Sequence, residues 1–194
     1  MARRGASLVL GCRSRERGEA AVREIITSSY NTRVEMVELD LLDLSSVRRF
    51  AKEVAGRPQP VHLLINNAGF WDGAGRKTWA AGDRPHNISQ ILPGSRPNIN
   101  MRTGKSHLSA DGLEFVTQCN HLAPFLLTNL LRARLAAAGT ARVINVSSIA
   151  AVLNWQGIGR APLDMDNINY AKDHSPQALK FAYHNSKLMN ILFR

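Results

Sequence analysis

The sequence predicts an α/β protein built on a parallel sheet. Two observations predict it: short aliphatic, β-branched runs, and amphipathic helical patterns that alternate with them along the chain. Four runs read as strands: Ser7–Cys12, Val34–Leu39, Val61–Asn66 and Arg142–Ser147. The first, third and fourth are nearly all apolar, which suits strands buried on both faces. Between them, Glu16–Thr27 places Ala20, Ala21, Val22, Ile25 and Ile26 at helical spacing. Ser45–Ala55 opens on a serine suited to capping and carries Val47, Phe50, Ala51 and Val54. Asp111–Ala138 is a long pattern with Leu113, Val116, Leu122, Phe125, Leu126 and Leu130, and a last pattern begins at Pro176. Right-handed crossovers would place the helices on both faces of the sheet.

A chain of 194 residues suits one domain with its own core. Trp71–His107 breaks the alternation, being rich in Gly, Pro, Arg and Asn without a sustained period. Structureless loops of that length are unusual inside a compact domain, so residues 71–107 read as an irregular insertion. No apolar stretch approaches the ~20 residues of a membrane helix, and no signal-peptide pattern follows Met1. Cys12 and Cys119 make neither a disulfide framework nor a metal site. Both read as buried thiols in a reducing compartment, cytoplasmic or peripheral to a membrane. The net charge of +10 invites an anionic partner, or else is a solvated basic surface. With no zinc-finger spacing and no aromatic-studded basic motif, nucleic acid is not expected as a partner.

The residues able to do chemistry gather late in the chain. Tyr183 and Lys187, in Tyr183-His184-Asn185-Ser186-Lys187, are four apart and share a helix face. A phenol is a poor base near neutrality, but an adjacent ammonium favours the phenolate. Such a pair can take a proton from an alcohol or give one to a carbonyl, although Tyr and Lys at this spacing also occur by chance. The fourth strand ends in Asn145-Val146-Ser147-Ser148, at the carboxyl edge where α/β sheets bind ligands. A serine there could orient a substrate oxygen, or simply cap a turn. The third strand ends in Asn66-Asn67-Ala68-Gly69, whose small residues would let a flat cofactor approach the backbone. Asn120 interrupts an apolar helical pattern, so it is either buried and hydrogen-bonded or plainly exposed.

The ordered set NNAG, CNHLAPFLLTNLL, RVINVSS and YHNSK resembles the short-chain dehydrogenase/reductase family. The flanking LVLGCRSRERGEAAVREI, VELDLLDLSSVRRFA and SKLMNILF resemble its retinol-dehydrogenase-like branch. The resemblance covers about residues 2–70 and 108–194. It implies a Rossmann-type, doubly wound parallel sheet. It also implies a hydride transfer between a nicotinamide and an alcohol or carbonyl substrate, with a retinoid or lipid-like aldehyde as the substrate class. Tyr183 would be the acid/base, and Lys187 would acidify it and hold the nicotinamide ribose. Ser148 would hold the substrate oxygen, and Asn120 a water linking Lys187 to solvent. Pro124 departs from the family pattern by removing an N–H from the helix, which implies a kink just after Asn120.

The second strand of such a sheet selects the nicotinamide: a carboxylate at its end favours the free ribose hydroxyl, an arginine the 2′-phosphate. Here the strand runs into Arg13, with Arg15 and Arg17 behind it, so NADP(H) is the expected cofactor, gripped by Arg13. Asp40 and Leu41 would contact the adenine, and Asn67, Ala68 and Gly69 the adenosine side. The family's first strand and its TGxxxGxG loop have no counterpart, since the chain opens at ARRGASLVLGCR and ends in the helix carrying Tyr183. The expected fold is therefore incomplete, lacking the first strand with its Gly-rich loop and the last strands. An alternative follows: a truncated, inactive chain that forms a dimer, with itself or with a full-length relative. The first strand would lie between Leu8–Cys12 and Val61–Asn66, leaving edges that must pair together, pair with another chain, or stay open.

Overall fold

The structure, a computed structural model, describes residues 1–69, 108–152, 163–170 and 176–193. The insertion expected at 71–107 lies outside the described residues. All four predicted runs form strands, trimmed at their ends. Strand β1 (Leu8–Cys12) pairs in parallel with β2 (Val34–Glu38), Leu8 facing Val34 and Cys12 facing Glu38. Strand β3 (Leu63–Asn66) pairs in parallel with β4 (Arg142–Asn145), Leu63 facing Arg142 and Asn66 facing Asn145. Among the described residues these remain two separate two-stranded sheets. Of the outcomes open to the inner edges, β1 pairing with β3 is therefore not the one adopted.

Helix α1 (Arg15–Ser29) starts where the Ser14 hydroxyl accepts from the Arg17 N–H. It lies close against the first sheet at Gly18, where a Cβ would stand 2.5 Å from Met36 Cγ and 3.0 Å from Cys12 Cβ. Helix α2 (Leu44–Ala55) corrects the expected capping serine. Asp43 is the cap, its carboxylate accepting from the Ser45 N–H at 2.8 Å. A hydrogen bond from the Ser45 side chain, more than any other contact, draws the Asp43 pKa below the usual carboxylate value, and the backbone N–H bonds add to it. Aspartate wins because a full negative charge at a helix N-terminus is stabilised beyond what a hydroxyl offers. The helix buries Ser46, Val47, Phe50, Ala51 and Val54, a stripe at helical spacing.

The long pattern at 111–138 is not one regular helix. Helix α3 begins at Phe115–Thr117, passes through a π-turn at Gln118–Leu122 and continues as Ala123–Leu130; α4 (Arg132–Ala136) follows. Glu114, 2% exposed, starts α3 by accepting from the N–H groups of Val116 (2.9 Å) and Thr117 (2.6 Å). The last helix, α5 (Pro176–Leu192), matches its pattern.

The apolar core joins the two sheets. Val37, Leu41, Val47, Phe50, Ala51 and Val54 from the first half meet Ala123, Leu127, Leu131 and Leu135 from the second, with Leu64 and Val61 packed against them. Burial of the strands on both faces is only partly realised. Val9, Leu63, Ile65, Val143 and Ile144 are between 36% and 43% exposed. A two-stranded sheet has too few neighbours to cover every apolar side chain. No described helix is long and apolar enough to cross a membrane.

Candidate active site

Every residue expected to bind or react follows the carboxyl end of a strand or lies on α3 or α5. Arg13 follows β1, Asp40 and Leu41 follow β2, Asn67, Ala68 and Gly69 follow β3, and Ser147 and Ser148 follow β4. Parallel pairing puts these ends on the same side of each sheet.

Helix α5 presents Tyr183, Ser186, Lys187 and Asn190, at i, i+3, i+4 and i+7, as one polar stripe. The last three are almost wholly buried, with exposures of 0%, 5% and 6%. Buried polar groups need partners, and the π-turn and the end of β4 supply them. Asn120, 1% exposed, donates through Nδ2 to Ser186 Oγ (3.1 Å), which donates to the Tyr183 carbonyl (2.7 Å). This decides between the two readings of Asn120: it is buried and bonded. Lys187 Nζ donates to the Val146 carbonyl at 3.2 Å and lies 5.8 Å from the centre of the Tyr183 ring. Burial lowers the Lys187 pKa, against a smaller opposing effect of Cys119.

Asn190 donates through Nδ2 to the carbonyls of Asn120 (3.0 Å) and Val146 (3.2 Å). Both are pure acceptors, so its Oδ1 must face His121 Nδ1, 3.0 Å away, and that nitrogen carries the proton. Burial lowers the His121 pKa more than the Asn190 bond raises it.

The two serines divide their tasks. Ser147 Oγ donates to the Lys187 carbonyl at 2.6 Å, tying β4 to α5. Ser148 Oγ accepts from the Ala150 N–H at 3.2 Å and caps the turn Ile149–Ala151. The cap occupies an acceptor site; the O–H is the donor a substrate oxygen would need. Gly69 brings the end of β3 to the same place. A Cβ there would stand 3.0 Å from Asn120 Oδ1 and 3.2 Å from Lys187 Nζ.

On the cofactor side, Asp40 Oδ1 accepts from the Leu42 N–H at 2.9 Å, and the Leu41 carbonyl accepts from Gln118 Nε2 at 3.2 Å. The charges of Asp40, Arg13 and Lys187 all act on the Cys119 thiol. Burial, aided by the Asp40 charge, pushes that thiol up to about 12, so it is not a nucleophile. Among the described residues no cluster could hold a metal ion. Sequence reasoning missed Ser186 and Asn190, although the i, i+3, i+4, i+7 stripe that starts at Tyr183 would have found both.

The parallel strands, crossover helices and polar carboxyl edge define a Rossmann-type α/β protein. Residues 1–91 match the family model for short chain dehydrogenases. Retinol dehydrogenase 11 of Mus musculus is 34% identical, matching all of this chain and 48% of its own length. A solved structure from Mycobacterium Paratuberculosis is 35% identical at a TM-score of 0.65, covering 98% of this chain and 52% of its own. A short-chain dehydrogenase from Sphingobium yanoikuyae, solved in complex with NADPH, shares the fold at a TM-score of 0.58 with 19% identity; 98% of this chain and 54% of that one are covered. The chain is thus similar to the short-chain dehydrogenase/reductase family, an oxidoreductase family, and within it to the retinol dehydrogenases. It spans about half the length of the curated relatives it matches.

Proposed function

We propose that the chain carries the proton-handling part of an NADP(H)-dependent reductase or dehydrogenase of alcohol and carbonyl substrates. The observation that carries this reading is the approach of both Asn120 Oδ1 and Lys187 Nζ to Gly69, 3.0 and 3.2 Å from where a Cβ there would stand. A nicotinamide bound there would supply or accept the hydride. The small residues Ala68 and Gly69 after Asn67 would let a flat cofactor approach the backbone, Arg13 would take the 2′-phosphate, and Asp40 and Leu41 would border the adenine.

The remaining chemistry belongs to this chain's own side chains. Ser148 O–H donates to the substrate oxygen and points it at Tyr183. The Tyr183 hydroxyl gives its proton to that oxygen in reduction, or takes it in oxidation. Lys187 holds a positive charge beside the Tyr183 ring, which stabilises phenolate as the proton leaves. Asn120 keeps Lys187 and the Ser186 turn of α5 in register. The similarity to retinol dehydrogenases favours lipid-like aldehydes, retinoids included, as substrates.

Tyr183→Phe should lower NADPH consumption with a panel of aldehydes, ketones and retinoids on the order of 10²–10⁴-fold. NADH should serve worse than NADPH. Equal rates in wild type and Tyr183→Phe would remove Tyr183 from the mechanism. One observation favours a second reading, an inactive chain that pairs with a longer relative: the two sheets remain separate among the described residues. Tight NADPH binding by a folded monomer, seen by titration and native mass spectrometry, would exclude it.

A further inference from the structure

Among the described residues the two sheets share no strand pairing, yet the expected site draws on both. Arg13, Asp40 and Leu41 follow the strands of the first sheet, while Ser148 follows β4 and Tyr183 and Lys187 lie on α5. The apolar core that joins the halves is non-directional and does not by itself fix their spacing. At the carboxyl end a buried amide bonds across the junction. Gln118, the first residue of the π-turn and 0% exposed, donates through Nε2 to the Leu41 carbonyl at 3.2 Å and to Asp111 Oδ2 at 2.8 Å. The same Asp111 oxygen accepts from the Leu44 N–H at 2.9 Å, at the start of α2. Ser109 Oγ donates to Gln118 Oε1, so both hydrogens and the oxygen of the amide are engaged. Two residues on, Asn120 donates to Ser186 Oγ on α5 at 3.1 Å. The π-turn is therefore bonded on one side to the residues after β2 and on the other to the helix carrying Tyr183 and Lys187.

We propose that Gln118 is a positioning residue that sets the spacing between the adenine-side residues and the proton-transfer residues, so that it serves the binding of a whole dinucleotide rather than of either half. The inference rests on reading the site as one for NADP(H). Two linked ligand halves bind better than one only when their subsites lie at the span of the linker, and the gain falls away as that geometry is lost. The adenine-side loop keeps bonds of its own: the Asp40 N–H donates to Ser46 Oγ at 3.0 Å, and Asp40 Oδ1 accepts from the Leu42 N–H at 2.9 Å. Loss of the Gln118 amide should therefore leave that loop in shape and loosen its distance from Lys187.

The test titrates the full chain with NADPH and, separately, with 2′,5′-ADP, the half that carries the adenine and the 2′-phosphate. Gln118→Met keeps the length of the side chain and removes its polar atoms. It should weaken NADPH about tenfold and 2′,5′-ADP less than about twofold. Equal weakening of both ligands would confine Gln118 to the adenine side and overturns the proposal, as does an unchanged NADPH affinity. Ser109→Ala frees the Oε1 end of the same amide and should give the same split at about threefold on NADPH. It decides the question if Gln118→Met does not fold, and the absence of a split there overturns the proposal. A wild-type chain that binds 2′,5′-ADP, but NADPH no more tightly, overturns this inference and leaves the adenine-side reading standing. A wild-type chain that binds neither ligand overturns the cofactor reading and this inference with it.

Discussion

The first sheet with α2 and the second sheet with α3 and α5 have nearly the same strand architecture, but the second mixes a buried polar network into its apolar packing. Around β2 and α2 the buried side chains are Val34, Val37, Leu41, Val47, Phe50, Ala51 and Val54, with Ser46 the polar exception. Around β3, β4, α3 and α5 the buried set includes Asn66, Glu114, Thr117, Gln118, Asn120, Asn185, Ser186, Lys187 and Asn190. Apolar burial alone stabilises a fold without specifying chemistry. A buried polar network must be satisfied bond by bond, so it fixes positions closely, as proton transfer requires. The contrast separates a scaffold half from the half that, under the proposed function, would carry the reaction.

The strongest way to break the comparison is at the seam. Leu131 is 1% exposed and packs with both halves. Leu131→Ala should lower stability by about 2–5 kcal/mol in urea titrations. Hydrogen exchange should then show β2 and β4 losing protection together, and loss confined to one sheet would mean the halves open independently.

A smaller effect should come from the polar half alone. Asn66 Nδ2 donates to Thr128 Oγ1 at 3.1 Å and to Asn145 Oδ1 at 2.8 Å, linking β3 to α3 and β4. Asn66→Leu leaves those acceptors short of a donor and should cost about 1–3 kcal/mol, with exchange protection falling at β4 and unchanged at β2. A variant as stable as wild type would show that this bonding contributes only to geometry.

The smallest effect is a pH dependence. Burial lowers the pKa of both His121 and His184 from 6.5, and both lie in the polar half. On acidification the unfolded histidines take up protons first, while the folded ones resist. Their stabilisation is therefore complete above pH 6.5 and lost as pH falls to the folded values. Melting temperature should fall on going from about pH 8 to about pH 5, and a His121→Gln, His184→Gln chain should show a shallower fall.

Much of this was legible in the residues. The four strands follow from their aliphatic runs, and Tyr183, Lys187, Asn120 and the serines from chemistry placed at strand ends and on helical faces. What escaped was what depends on partners distant in sequence. Ser45 looked like the cap of α2 because hydroxyls cap well, but Asp43 two residues earlier outcompetes it. The break after Asn120 was legible from Pro124, whereas the π-turn was not, because its widened register, with the Ala123 N–H reaching the Gln118 carbonyl, is a backbone property that no side-chain pattern marks. Strand composition suggested burial on both faces, but composition does not count neighbours, and each described strand has one.

The partly bare aliphatic side chains of Val9, Leu63, Ile65, Val143 and Ile144 have a consequence for the molecule in solution. They leave aliphatic surface on a strongly cationic chain, so electrostatic repulsion between copies would oppose its self-association. Sulfate both screens that repulsion and strengthens apolar association. The chain should therefore salt out early, at sulfate concentrations that leave an ordinary basic protein clear.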